Sequence, residues 1–232
     1  MPRFRMEFSK GDPVRFLSHL DIVKAFERAI RRAEIPIAFS EGFNPHPRMS
    51  FASALAVGVT SDREYIDIEL ARDMQLREVV DRLARALPPG MEIKEGRQVP
   101  QSAPSLMARV NRAAYRVAAE AYGSVNQAKI EENMAAFLAV PEIMITKRTK
   151  KGPRPKNIRP GIYDFRARAE GERLEFIIET MTSNEGSVRP EEVIRAFAEH
   201  SGCPVDYDSL YIRRTGLYAE QNGELLNPMD IT

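Results

Sequence analysis

The sequence predicts an α+β chain built from two successive β-α-β-β-α-β units with antiparallel sheets. Three observations predict it. Strict alternation of apolar and polar residues marks half-buried strands at Arg3–Ser9 and Glu64–Leu70. Apolar residues at helical spacing mark Ser18–Glu34, Gln75–Ala86, Asn126–Val140 and a last helix opened by Arg189-Pro190-Glu191-Glu192. Gly- and Pro-rich turns separate these segments in an order that repeats, which is the ferredoxin-like arrangement. The second unit carries a basic hairpin insertion. The expected division is residues 1–101, then 110–220 with a basic loop at 147–160, then a tail at 221–232.

In the first strand Phe4, Met6 and Phe8 share one face, and Lys10-Gly11-Asp12-Pro13 is a turn. Ser18-His19-Leu20-Asp21 fits a helix capping box: the Ser hydroxyl accepts from a free backbone N–H and the Asp carboxylate suits the positive helix end. Leu20, Val23, Phe26, Ile30 and Ala33 form the expected apolar stripe, with Lys24, Arg28, Arg31 and Arg32 opposite. The helix stops ahead of Pro36, because the residue before a proline disfavours helix. Pro36–Phe39 reads as a short strand and Met49–Val59 as a small, apolar stretch. In Glu64–Leu70 the residues Tyr65, Asp67 and Glu69 lie on one face and Ile66, Ile68 and Leu70 on the other. Leu76, Val79, Val80, Leu83 and Leu87 define the second helix, Pro88-Pro89-Gly90 ends it, and Met91–Val99 closes the unit.

The second unit opens with the strand Ala113–Ala121 and the helix Asn126–Val140, then a strand at Ile143-Met144-Ile145. Ile162–Ala169 and Leu174–Met181 form a hairpin around Glu170-Gly171-Glu172. The last helix has Pro190 near its first position, a stripe of Val193, Ile194, Phe197 and Ala198, and Gly202 as its stop. Ser209–Tyr218 is the final strand.

Lys and Arg number 34 against 33 Asp and Glu, which excludes a uniformly basic nucleic-acid binder but leaves room for a local patch. One cysteine, Cys203, excludes a disulfide framework, a multi-cysteine zinc site and an iron–sulfur cluster held by this chain alone. It reads as a small buried hydrophobe. No apolar run approaches a membrane span and the first residues carry no signal-peptide core, so a cytoplasmic protein is expected. No phosphate-loop, dinucleotide or nucleophile-elbow motif occurs.

The strongest charge feature runs from Lys147 to Pro160. It holds Lys147, Arg148, Lys150, Lys151, Arg154, Lys156 and Arg159 and no acid. Its Gly and Pro residues argue against helix or central strand, so a flexible cationic loop is expected. Such a loop suits a polyanion through counterion release, although docking on an acidic protein is open. Arg28, Arg31 and Arg32 add a second basic surface, which is also the ordinary polar face of an amphipathic helix. Ser40-Glu41-Gly42-Phe43-Asn44-Pro45-His46-Pro47-Arg48 brackets a histidine with prolines. Its Ser40, Gly42, Phe43, Asn44, His46 and Arg48 suit recognition of a nucleotide, or a packed corner between strands. His19 and His46 would serve as acid and base in RNA cleavage only if the fold brought them together. A metal at His19-x-Asp21 is not expected, since residues two apart on a helix do not share a face.

Phe16-Leu17-Ser18-His19-Leu20-Asp21, Arg31-Arg32-Ala33, the Ser40–Arg48 segment and Ser61-Asp62-Arg63-Glu64-Tyr65 resemble the radical-SAM-linked family. This bacterial family of unknown function stands beside, or is fused to, cobalamin-type radical-SAM proteins. The resemblance implies a radical-SAM partner and, through neighbouring ribosomal-protein and ribonuclease genes, RNA (ribosomal or transfer RNA). The Cys run that would hold a radical-SAM cluster is missing, so any such chemistry belongs to the partner. The sequence therefore reads as a non-catalytic RNA-binding accessory protein that holds no cofactor and positions substrate for a radical-SAM enzyme. Two alternatives stay open. One is a metal-independent endoribonuclease resembling CRISPR repeat-processing enzymes. The other is a protein-only adaptor docking on the radical-SAM enzyme.

Overall fold

The computed structural model describes residues 1–149, 152–183 and 186–232. In chain order its first elements are β1 (Arg3–Lys10), α1 (His19–Arg32), β2 (Met49–Phe51), β3 (Thr60–Glu69), α2 (Leu76–Ala86), β4 (Met91–Val99) and the short α3 (Leu106–Arg109). Then follow β5 (Arg112–Ala121), α4 (Gln127–Ala139), β6 (Met144–Thr149), β7 (Gly152–Asn157), β8 (Ile162–Glu170) and β9 (Arg173–Met181). The chain closes with α5 (Pro190–Ser201), β10 (Val205–Gln221) and β11 (Glu224–Leu226). The class is α+β. Two compact units form, residues 1–111 with 214–232 and residues 112–213. No helix among the described residues is long and apolar enough to cross a membrane.

In the first unit β1 lies between β4 and β3, and β2 pairs with the far side of β3. These pairings are antiparallel, with Phe4 opposite Ile68 and Met6 opposite Ile66. Phe4, Met6, Phe8, Ile66 and Ile68 form a core with Ile22, Phe26, Ala29 and Ile30 of α1 and Val79 and Leu83 of α2. The Ser18 capping box forms as the sequence predicts, with Ser18 Oγ accepting from Asp21 N and the Asp21 carboxylate from Ser18 N. The expected apolar stripe needs one correction: Leu20 is 69% exposed. It lies about 200° around the helix from Ile22, which sets the buried face.

A second correction concerns the polar face of β1 and β3. Alternation predicts that face in water, yet Arg3, Arg5, Glu7, Tyr65 and Asp67 are all buried. Residues from later in the chain cover it. Arg3 Nη1 donates to the Ala103 carbonyl at 2.7 Å, and Arg5 Nη1 to the carbonyls of Pro228 (2.7 Å) and Ile231. Both guanidiniums reach Asp67, at 2.6 and 2.8 Å. Charges tolerate such burial only when paired and fully hydrogen-bonded. Residues 221–232, read from sequence as a tail, thus lie on the first unit, with Met229 and Ile231 buried.

Close approach of α2 to β4 depends on Gly96. A Cβ there would sit 2.9 Å from Val80 Cγ2 and 3.2 Å from Leu76 Cδ1. Gly96→Val should cost ~1–3 kcal/mol through overpacking, read as a lower urea midpoint. An unchanged midpoint would mean that α2 shifts without cost.

The second unit orders its strands β10-β5-β9-β8. β5 and β9 pair antiparallel from Arg112–Met181 to Glu120–Arg173, and β8 and β9 form a hairpin turning at Gly171. Phe137 of α4 and Phe197 of α5 meet Phe165 and Phe176 in one aromatic core. Asn126 caps α4, and Gly202 ends α5 in the left-handed conformation.

Between α4 and β8 the inserted basic segment is a two-stranded antiparallel ribbon, paired from Met144–Asn157 to Thr149–Gly152. The basic hairpin insertion expected from sequence is present, and the flexible loop also expected there is corrected only in being strand-paired over 144–149 and 152–157. Pro153 and Pro155 stand two residues apart, so both missing N–H groups fall on the same edge of β7. The ladder to β6 uses the other edge and survives.

Candidate nucleic-acid interface

The ribbon sorts its cations by where they point. Lys147 and Arg154 are exposed and stand directly opposite each other in register. Lys156, two residues from Arg154 and so on the same face of the ribbon, is instead engaged by the fold. Its Nζ donates to the Ser187 carbonyl at 2.6 Å and pairs with Glu192 of α5 at 2.8 Å. Arg159 also serves the fold: it donates to the Leu138 carbonyl near the end of α4 at 3.0 and 3.2 Å, and to the Ile162 carbonyl. Arg148 sits in β6 opposite Pro153. Lys150 and Lys151 lie outside the described residues.

In the first unit Arg28, Arg31 and Arg32 are exposed along the last turns of α1. Arg31 and Arg32 there complement the negative end of the helix dipole. Arg32 Nη2 donates to the Ala86 carbonyl at the end of α2, at 2.5 Å. Exposed Arg85 precedes Ala86 in that last turn of α2. Sequence reasoning overlooked Arg85, although it is the basic residue of the last turn of α2.

The Pro-bracketed loop is tied at its neck. Ser40 N donates to the His46 carbonyl at 2.8 Å, and His46 N donates to Ser40 Oγ at 3.0 Å. Arg48 N donates to the Ala38 carbonyl, and Arg48 pairs with Glu69 at 3.0 Å. Gly42 takes a φ of +119°, which favours glycine, just before the tip. At the tip Phe43 is wholly exposed, with Asn44 and His46 exposed nearby. Leaving a Phe in water forgoes ~1.5–3 kcal/mol of burial, so a braced, exposed ring is a feature that needs a reason.

His19 lies elsewhere in the unit. It is half-buried at the start of α1, edge-on to Phe51 at 5.3 Å. Burial holds its imidazole below the usual histidine range, with Glu64 opposing and Arg214 assisting. His19 packs on Phe51 of β2 while His46 is bonded to Ser40 at the loop's neck, so the two histidines have different partners. Below His19, Arg214 binds Glu64 through Nε–Oε1 (2.7 Å) and Nη2–Oε2, both groups buried. Lys10 donates to the carbonyls of Arg15 (2.8 Å) and Leu17 (3.1 Å). His200 packs against Phe137, and burial pushes the Cys203 thiol up. Among the described residues no group of three or more His, Cys, Asp or Glu is placed to hold a metal.

A family model described as "Uncharacterized protein conserved in bacteria (DUF2344)" matches residues 3–190. No curated protein matches. Among solved structures, a Cbf5-Nop10-Gar1 complex is similar at 12% identity and a TM-score of 0.51, over 95% of this chain and 50% of that one. The chain thus spans about half the length of its structural relative. An archaeal box H/ACA sRNP Nop10-Cbf5 complex gives 12% identity and a TM-score of 0.46, over 92% and 46% of the two chains. An RAMP protein binding different RNA substrates gives 8% and 0.23, over 91% and 99%. At such identities the likeness to the first concerns fold alone.

Proposed function

We propose that this chain, which belongs to the uncharacterized bacterial family DUF2344, is a cytoplasmic RNA-binding accessory protein that positions substrate for a radical-SAM partner. The observation that carries the reading is the paired basic ribbon, whose exposed Lys147 and Arg154 stand in a chain of nearly zero net charge. Unbalanced local cations favour a polyanion. Arg28, Arg31, Arg32 and Arg85 supply a second phosphate-binding surface. Phe43 supplies a stacking face for an unpaired base, with Asn44 and His46 beside it. The radical-SAM partner rests on the resemblance of the Ser40–Arg48 motif. The strand orders β4-β1-β3-β2 and β10-β5-β9-β8 support reading each unit as ferredoxin-like.

Fluorescence anisotropy with a labelled single-stranded RNA, across a salt series, tests the reading. Phe43→Ala should weaken binding by ~1–3 kcal/mol while leaving the salt slope unchanged, because it removes a stacking face and no charge. Arg28→Gln with Arg31→Gln and Arg32→Gln should flatten the slope instead. No binding by the unaltered protein at low salt would sink the RNA reading.

One observation favours a second reading, the protein-only adaptor. Phe16, Leu20 and Val57 are exposed around the start of α1, where Gly58 N donates to the Arg15 carbonyl at 2.9 Å. RNase-insensitive co-purification of a radical-SAM protein, without RNA, would establish it.

A further inference from the structure

We infer that Lys147 and Arg154 form a preset phosphate clamp on a latched ribbon, that Lys156 is the latch, and that the ligand is the backbone of a single RNA strand. The inference rests on the RNA-binding reading above and gives it a ligand geometry.

The register makes the clamp. In an antiparallel pair, directly opposed residues on one face hold their Cβ atoms about 4.5–5.5 Å apart. Lys147 faces Arg154 in this way, with Ile145 and Lys156 as the next pair on the same face. Like charges directly opposed destabilise a ribbon. Among the described residues neither Lys147 nor Arg154 makes an ion pair. Glu191, Glu192 and Glu199 of α5 line the groove beside Lys147, together with Arg189 and Arg195. Glu192 is taken by Lys156, and Arg195 lies over the Tyr207 ring at 4.6 Å. Glu191 and Glu199 remain on the α5 side of that groove, which Lys147 lines and Arg154 does not, so an external anion is what would bridge the two cations.

The latch makes the clamp rigid. Lys156 ties the ribbon to the Ser187 carbonyl and to Glu192 at the first turn of α5. Cations held in place before binding lose less freedom on binding than cations on a loose loop. The outer edge of β7, blunted by Pro153 and Pro155, cannot accept a further strand. That argues against a protein partner adding a strand there and leaves the charged face as the working surface. A ribbon of this kind does not read the deep, narrow major groove of A-form RNA, so a single strand is the better fit.

Three variants test this by anisotropy and thermal unfolding. Lys147→Gln with Arg154→Gln should reduce the salt slope by about 1.4 for a single strand, which is roughly a sevenfold smaller loss of affinity between 50 and 200 mM salt. Lys156→Met should weaken RNA binding but keep the slope, since a latch contacts no phosphate. Each single Gln variant should raise the melting midpoint at low salt by on the order of 1 °C, by ending the repulsion. An unchanged slope in the double variant, with RNA still bound by the unaltered protein, would overturn the clamp. So would single variants that melt no higher. If the unaltered protein binds no RNA, the RNA reading fails and inorganic polyphosphate decides the clamp. A midpoint rise with polyphosphate that the double variant loses supports it, and no rise overturns it.

Discussion

Arg5→Met is expected to destabilise the first unit by about 3–5 kcal/mol, the range for breaking a buried ion pair from one side. Arg5 is fully buried and its guanidinium bonds to Asp67 and to the carbonyls of Pro228 and Ile231. Methionine fills similar space but returns none of these bonds. Asp67 keeps only Arg3, and two buried carbonyls lose their donor. The closing segment should loosen with the rest. Urea unfolding gives the loss, and limited proteolysis after Gln221 should show cleavage in the variant before the unaltered protein is cut. Arg5→Lys should fall between the two, because an ammonium keeps the charge without the planar fork. A variant as stable as the parent would show that the segment is held by its apolar residues, Met229 and Ile231, alone.

Glu64→Leu should cost a similar ~3–5 kcal/mol, because it strands buried Arg214 and removes the acid that favours the charged form of Lys10. Its signature is in the pH dependence. Burial lowers the Lys10 pKa to about 8 from 10.5, with Glu64 raising it and Arg214 and Arg15 lowering it further. Between these values the unfolded chain binds more protons than the folded one. The contribution of Lys10 therefore rises with pH from about 8 to 10.5, and is at its least favourable below pH 8. Glu64→Gln, which preserves shape, should move the start of that rise below pH 8. Lys10→Met should abolish it. A rise that stays put in Glu64→Gln would mean that the carboxylate does not act on Lys10.

Local chemistry was legible wherever neighbours in sequence settle the matter. The Ser18 box, the Gly171 turn, the Gly202 stop and the apolar spacing of α2 all depend on residues within a turn or two. The candidate site was legible only as composition. Seven cations between Lys147 and Pro160 announce a charged feature. They do not say that Lys156 and Arg159 bond to their own chain while Lys147 and Arg154 stay exposed. That choice depends on Glu192, Ser187 and Leu138, which are distant in sequence. Arg85 draws notice only through the fold, where Arg32 bonds to the carbonyl of the neighbouring Ala86.

By itself the sequence determined the α+β class, most of the strands and helices, and the presence of a local basic insertion, because periodicity and turn chemistry act within a few residues; the strand expected at Pro36–Phe39 is only two isolated bridges, and α3, β7 and β11 left no such trace. Tertiary structure alone decided the rest. It buried the polar face of β1 and β3 under residues from the far end of the chain, since Arg3, Arg5 and Asp67 can satisfy one another only once 100–106 and 228–231 arrive. It paired the expected basic hairpin as a two-stranded ribbon, because two prolines spaced by two leave one edge free to pair. It gave His19 and His46 different partners, Phe51 of β2 for one and Ser40 for the other. Bonds between residues far apart in sequence leave no periodic trace, and they are what separates the cations fastened to the fold from those left exposed.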